Sequence, residues 1–308
     1  MPSSPIPVIC VCGATGTGKS AAAVSLAERF RGAVINADSR QVYTDFPIIT
    51  AQPGDADTSR CPHLLYGFLG CREKLGAGAY AELAGKEIAD LHHRGTVPIL
   101  TGGTGLYLRT LFRGIAPIPP VDPAISRAWA MRLKEEGAAA LHRVLETLDP
   151  GSAAKLHPND SQRITRALEV LEGTGKPLGY WHSLPVPPSP YRTLLLYLDL
   201  DLAALTPRLA RRIDAMIDAG AVDEARRALA ACPDPVAPGW SGIGCSELYR
   251  YLQGEIDLPA CRELWLRNTR AYAKRQITWF RAERDKTAFD PRDIPGMLEA
   301  AAAFLCKQ

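Results

Sequence analysis

Eight consecutive residues, Gly13, Ala14, Thr15, Gly16, Thr17, Gly18, Lys19 and Ser20, carry the clearest chemical signal in the chain. They fit G-x-x-x-x-G-K-[ST], the spacing of a phosphate-cradling P-loop. The glycines let successive backbone N–H groups turn inward on an anion, and a following helix adds its positive N-terminal end. Lys19 supplies a point charge for terminal phosphates, and the Ser20 hydroxyl is a ligand for Mg²⁺. A second candidate is Asp38, followed by the polar cluster Ser39, Arg40 and Gln41. The role to weigh against chemistry there is an ordinary turn or helix-capping aspartate.

These residues need elements to position them. Val8-Ile9-Cys10-Val11-Cys12 is short, apolar and β-prone, and Ala21 to Phe30 is helical in pattern, so the loop lies between a strand and a helix. Ala33 to Ala37 reads as a second strand, which brings Asp38 to the same carboxyl edge as the loop, where open parallel sheets bind ligands. Residues 44–76 read as loop-rich. A helix over 79–94 leads to a third strand over 96–100, ending in Thr101-Gly102-Gly103-Thr104-Gly105. No acid follows this strand, whereas many P-loop NTPases place a Mg²⁺-holding aspartate there. That argues against a motor or a switch GTPase. The alternation predicts an α/β fold: a P-loop NTPase-like, doubly wound parallel sheet.

Proline clusters at 117–123 and 185–190 bracket a helical stretch, read as an insertion domain over 117–190 within a core of 1–116 and 191–308. Inside it, Gln162, Arg163, Ile164, Thr165 and Arg166 open a helix whose basic residues are, from spacing alone, a solvated face. Thr193 to Leu198 returns to the sheet, and the remainder is helical, over about 203–219, 221–231, 245–253, 259–284 and 294–305. Arg208, Arg211 and Arg212 lie early in the first of these, where one guanidinium could meet a phosphate. The 259–284 helix carries Arg267, Arg270, Lys274 and Arg281 beside Trp265, Tyr272 and Trp279, a mixture suited to RNA although the aromatics suit a core as well.

The 36 basic and 33 acidic residues leave a net charge of +3, so no partner follows from total charge. Eight scattered cysteines without a C-x-x-C pair fit a reduced, cytoplasmic protein and not a disulfide or zinc framework. Neither a membrane-spanning run nor a signal peptide is apparent.

Taken together, the segments resemble the tRNA dimethylallyltransferases, also called tRNA isopentenyltransferases, along nearly the whole chain. The resemblance rests on Gly13–Ser20, Asp38–Tyr43, Thr50–Pro53, Pro98–Leu108, His157–Asp160 leading into Gln162–Val170, and Ala273–Arg281. It implies transfer of a dimethylallyl group from dimethylallyl diphosphate to N6 of adenosine 37 in tRNA. It also implies that the P-loop and Arg208 hold the diphosphate, with Mg²⁺ on Ser20, and that Asp38 is the general base. Asp38, Ser39, Arg40, Gln41, Thr104, Gln162, Arg163, Ile164, Thr165 and Arg166 would meet the tRNA, the insertion domain gripping its anticodon stem-loop. The expected protein is a cytoplasmic monomer with no membrane partner. This chain departs from the family pattern at Gln52, at Ser126 and at Cys245-Ser246, where the family carries basic or aromatic residues. Rival readings are a dimethylallyltransferase acting on free adenylate, an ATP-dependent kinase, and a non-catalytic RNA-binding protein.

Overall fold

The computed structural model describes residues 5–307. Six strands form one sheet: β1 (Ile6–Gly13), β2 (Gly32–Asn36), β3 (His63–Leu64), β4 (Val97–Gly102), β5 (Tyr191–Leu198) and β6 (Lys286–Phe289). Their order is β3-β2-β4-β1-β5-β6 and every neighbouring pair is parallel. The continuous apolar run of β1 is explained by burial on both faces. Ile9 and Val11 pack with the Lys19–Phe30 and Ile294–Leu305 helices. Val8, Cys10 and Cys12 pack on the opposite face against the Ala77–His93 and Gly105–Arg113 helices. The sheet is doubly wound, as the alternation of elements predicts.

Two short edge strands escape the sequence reading. Strand β3 is two residues long and lies in the stretch read as loop, which also holds one-turn helices at Pro47–Thr50 and Asp55–Thr58. Strand β6 has four residues with an exposed middle, too few to show an alternation. The helices that frame the site have ordinary local causes. Asp201 accepts the Ala204 N–H at 2.7 Å to start Leu202–Asp218. Asp257 accepts the Ala260 N–H at 2.8 Å, with Pro259 in the first turn, to start Leu258–Ala282.

The chain divides into two compact units, Met1–Phe112 with Ser189–Gln308, and Arg113–Pro188. The second is helical among the described residues and has its own core of Trp129, Leu141, Leu145, Ile164 and Leu168. The Trp129 indole donates to Glu172 at 2.7 Å, so its polar edge is not orphaned. Seven of the eight cysteines are buried as free thiols, and Cys306 is exposed. No described helix is long and apolar enough to cross a membrane.

Candidate active site

A cavity of about 420 Å³ opens at the carboxyl edge of the sheet, within the first unit. Its floor is the P-loop, contributing Thr15, Gly16, Gly18, Lys19 and Ser20. One wall comes from the end of β2, with Asp38 to Gln41, and from Thr101 and Gly102 at the end of β4. The facing walls are helical, with Leu209, Arg212, Ile213 and Met216 from Leu202–Asp218 and Trp265, Thr269, Tyr272 and Arg275 from Leu258–Ala282. Charged and apolar groups therefore share the lining: Ile49 and Ile243 join Leu209, Ile213, Met216 and Trp265 in an apolar stretch, and the same two helices also carry Arg212 and Arg275.

The glycines that follow β4 have a geometric cause. A Cβ on Gly102 would lie 2.2 Å from the Ala37 carbonyl, so only glycine lets β4 come this close to the end of β2. The contact is secured by Ala37 N–H to the Thr101 carbonyl at 2.7 Å and Thr104 N–H to the Ala37 carbonyl at 3.2 Å. At the P-loop, Gly16 takes a φ of +81°, and Leu209 occupies the space its Cβ would fill.

The Asp38 loop is held from several sides. Asn36 Oδ1 accepts the Asp38 N–H at 2.8 Å, and Asp38 Oδ1 accepts the Arg40 N–H at 2.9 Å. The Ser39 N–H donates to Thr104 Oγ1 at 2.9 Å. These bonds fix the carboxylate at the cavity wall without consuming both of its oxygens.

The charges in the cavity act on one another. Burial pulls the Lys19 ammonium down to about 8, Asp38 opposes that shift, and Arg212 adds to it. Lys19 Nζ donates to the Ala14 carbonyl at 2.8 Å, which Thr17 Oγ1 also reaches at 2.8 Å. Burial likewise lowers Arg212, with Asp38 again opposing. The Tyr272 phenol is pushed up, first by burial and then by Asp38, while a hydrogen bond with Thr104 opposes the rise. Two cations short of counter-charge beside a single carboxylate make a site suited to a polyanion.

The family model described as IPP transferase matches residues 41–283, and the model described as isopentenyl transferase matches residues 6–62. The chain is 56% identical over 292 residues to the tRNA dimethylallyltransferase of Oleidesulfovibrio alaskensis, covering 95% of this chain and 96% of that protein. It belongs to the tRNA dimethylallyltransferase family. As a family member it is an enzyme. The tRNA dimethylallyltransferase of Nitratidesulfovibrio vulgaris is 55% identical over 316 residues, covering 98% of this chain and 94% of that one. Among solved structures, the tRNA isopentenylpyrophosphate transferase of Bacillus halodurans superposes with a TM-score of 0.72 at 32% identity, over 97% of each chain. A eukaryotic dimethylallyltransferase acting on tRNA superposes at 0.80 and 30% identity, over 96% of this chain and 77% of that one.

Within this dimethylallyltransferase-family fold, the residues singled out from the sequence separate into three groups. Thr15, Gly16, Gly18, Lys19, Ser20 and Asp38 to Gln41 line the cavity, while Thr104 joins through Ser39. Arg40 and Gln41 also spend their side chains inside the protein. Arg40 Nη2 donates to the Pro238 and Gly239 carbonyls at 3.1 and 2.6 Å, and Gln41 Nε2 donates to the Thr50 and Ala51 carbonyls at 3.0 and 2.6 Å.

Arg208, expected to hold the diphosphate, lies apart from the other diphosphate candidates. It does not line the cavity; it lies near Asp290, and Arg212, one turn further along the helix, faces the P-loop residues instead. Both guanidinia belong to one run of arginines, and spacing alone does not say which turn reaches the loop.

The third group lies in the helical unit, on the Ser161–Thr174 helix. Gln162, Arg163 and Arg166 are exposed, with Arg163 3.5 Å from Asp160 and Arg166 3.3 Å from Glu169. Ile164 is fully buried in that unit's core and Thr165 is nearly so, because each sits on the helix's apolar stripe. Their side chains face inward, which removes them as surface contacts. Gln52, one of the departures, donates to the Tyr43 carbonyl at 2.7 Å and so serves the loop itself. Cys245 is buried in the cluster around Trp265. Missed as site residues were Arg275, although it lies inside the Ala273–Arg281 segment, and the apolar Ile49 and Ile243.

Proposed function

We propose that this enzyme transfers a dimethylallyl group from dimethylallyl diphosphate to N6 of adenosine 37 in tRNA. The observation that carries the reading is the shared cavity, in which Lys19 and Arg212 stand beside the P-loop, Asp38 stands opposite, and apolar side chains complete the enclosure. The apolar stretch suits a five-carbon allyl group placed next to the diphosphate. The relatives' names, and a solved relative acting on tRNA, support tRNA as the acceptor.

Cleavage of the allylic C–O bond leaves negative charge on the diphosphate and positive character on the allyl carbon. The P-loop amides, Lys19 and Arg212 stabilise the departing diphosphate. The exocyclic amino group of adenine is a weak nucleophile because its lone pair is delocalised into the ring. Asp38 orients it and accepts its proton as the new C–N bond forms. An adenine within an anticodon loop must be extruded to reach so enclosed a carbon.

The residues present fit a Mg²⁺ ion: the Ser20 hydroxyl and the Asp38 carboxylate line the same cavity, and both are hard oxygen donors of the kind this cation takes alongside phosphate oxygens. When bound, it would neutralise diphosphate charge beside the Ser20 hydroxyl. In the helical unit, Gln162, Arg163 and Arg166 offer an exposed basic patch to the RNA backbone. The polypeptide is taken to act as a cytoplasmic monomer.

The test is transfer of labelled dimethylallyl from its diphosphate to an anticodon stem-loop containing A37 and, separately, to AMP, with and without Mg²⁺. Label on the stem-loop alone supports the proposal. Label on AMP alone would move the function to free-nucleotide prenylation. No label on either, together with ATP consumption, would return the P-loop to kinase chemistry.

A further inference from the structure

One buried side chain joins the two halves of the site. Gln276 lies on the Leu258–Ala282 helix, is 4% exposed, and carries the longest-range polar contact of the P-loop. Its Oε1 accepts the Thr15 N–H at 2.8 Å, and its Nε2 donates to the Gly103 carbonyl at 2.9 Å. The partners fix the amide's orientation, because Thr15 offers a donor and Gly103 an acceptor. A Cβ on Gly103 would lie 2.0 Å from Nε2, so the glycine makes room for this amide. The next residue, Thr104, receives the Ser39 N–H at 2.9 Å, and Ser39 adjoins Asp38. An unbroken path therefore runs from the phosphate loop through Gln276 to the loop that carries the carboxylate.

We propose that Gln276 is a positioning residue that sets the spacing between the diphosphate loop and the acceptor-binding loop, so that the allyl carbon and the amino nitrogen meet within reacting distance. The inference rests on the transfer reaction proposed above. Hydrophobic docking through Ala273, Ile277 and Phe280 seats the helix, but an apolar side chain can neither accept the Thr15 N–H nor donate to the Gly103 carbonyl, as Gln276 does. Misplacing two reacting groups lowers the rate, and releasing the Thr15 amide also slackens the loop that cradles the anion, while the stem-loop contacts elsewhere are left in place.

Two full-length variants test the proposal. Gln276→Met removes both bonds at similar volume, and Gln276→Glu keeps the acceptor for Thr15 but turns a carboxylate toward the Gly103 carbonyl. Transfer to the A37 stem-loop is measured per folded molecule, with the affinity for inorganic diphosphate measured by calorimetry. Gln276→Met should lose at least tenfold in kcat, with KM for the stem-loop changed less than threefold, and should bind inorganic diphosphate at least tenfold more weakly. Gln276→Glu should recover relative to wild type as pH falls from 8.5 to 6, because a protonated, buried carboxyl both accepts and donates as the amide does.

A kcat within threefold of wild type for Gln276→Met, or a Gln276→Glu to wild-type ratio that is flat with pH, would overturn the proposal. A purely structural role would lower the unfolding temperature but leave both readouts in place. If the wild-type enzyme itself transfers nothing to the stem-loop, the reaction reading fails. The diphosphate affinity of Gln276→Met then decides alone, unchanged affinity overturning the link.

Discussion

Replacing Lys19 with methionine should make the protein more stable while abolishing its use of diphosphate. The ammonium is drawn from 10.5 to about 8 by burial near Arg212, against the pull of Asp38. At 1.36 kcal/mol per pKa unit, the interval of 2.5 units between those two values sets a ceiling of ~3.4 kcal/mol on the cost of keeping this charge in the folded chain. Solvent reaching the half-buried side chain screens part of it, which leaves about 1–3 kcal/mol. The Ala14 carbonyl keeps its bond from Thr17 Oγ1 after the substitution, so no acceptor is orphaned. The expected gain at pH 7 is a rise of roughly 2–6 °C in Tm.

The pH dependence follows from the sign of the shift. Below pH 8 Lys19 is charged in both folded and unfolded chains, and the native state bears the full cost. Between about pH 8 and 10.5 the native chain loses the proton first, so wild-type stability climbs relative to the variant and the difference closes. Cysteines and tyrosines away from Lys19 titrate alike in both proteins and cancel in the comparison, and Cys12, the thiol coupled to Lys19, is held far above the usual thiol range by burial. Calorimetric unfolding of both proteins at pH 7 and pH 10, with and without inorganic diphosphate, measures each part. The ligand should raise the wild-type Tm and leave the variant unmoved. A variant less stable than wild type at pH 7, or an advantage equal at both pH values, would refute the argument.

Four further outcomes follow from the geometry. Asp38→Asn should lower kcat by 10²- to 10⁴-fold, roughly the worth of a positioned base, with stem-loop affinity retained in a filter-binding assay. Arg212→Gln should cost roughly ten- to a hundredfold in kcat/KM for dimethylallyl diphosphate, while Arg208→Gln costs less than threefold, since only Arg212 lines the cavity. The Arg163→Ala, Arg166→Ala double variant should reduce the slope of log affinity against log salt by about 1.5 for the stem-loop, and an unchanged slope would return both arginines to simple solvation. Glu224→Ala should destabilise the protein by about 1–3 kcal/mol in urea titration, because the buried carboxylate accepts the Ile48 and Ile49 N–H groups at 2.7 and 2.9 Å at the start of the Pro47–Thr50 helix.

The central strands were legible because their apolar runs are bounded by glycines and because burial on both faces leaves no polar positions to confuse the pattern. Strand β3 was not, since two residues define no period. Among the cavity-lining residues, Lys19, Ser20 and Asp38 announced themselves through motif and strand-end position. Arg212 did not separate from Arg208, because both lie on the same helix one turn apart and only the docking of that helix decides which meets the loop. Ile164 was carried along by its neighbours, although its own place on the apolar stripe already implied burial. Arg40, a natural phosphate ligand by residue type, instead closes the turn at Pro238–Ser241, a contact nearly two hundred residues away in sequence and invisible to local pattern.

The burial of seven thiols has a practical side. Burial raises the pKa of Cys10, Cys12 and Cys245 well above that of a free thiol, so at neutral pH they are protonated, enclosed and slow to react. Cys306 stands alone as an accessible sulfur just past the last helix. A maleimide dye should therefore label the unmodified chain once, at a defined place, without a cysteine-free background having to be built. The same asymmetry warns against reading quaternary structure from non-reducing gels, where air oxidation at this one position would weld two molecules whether or not they associate.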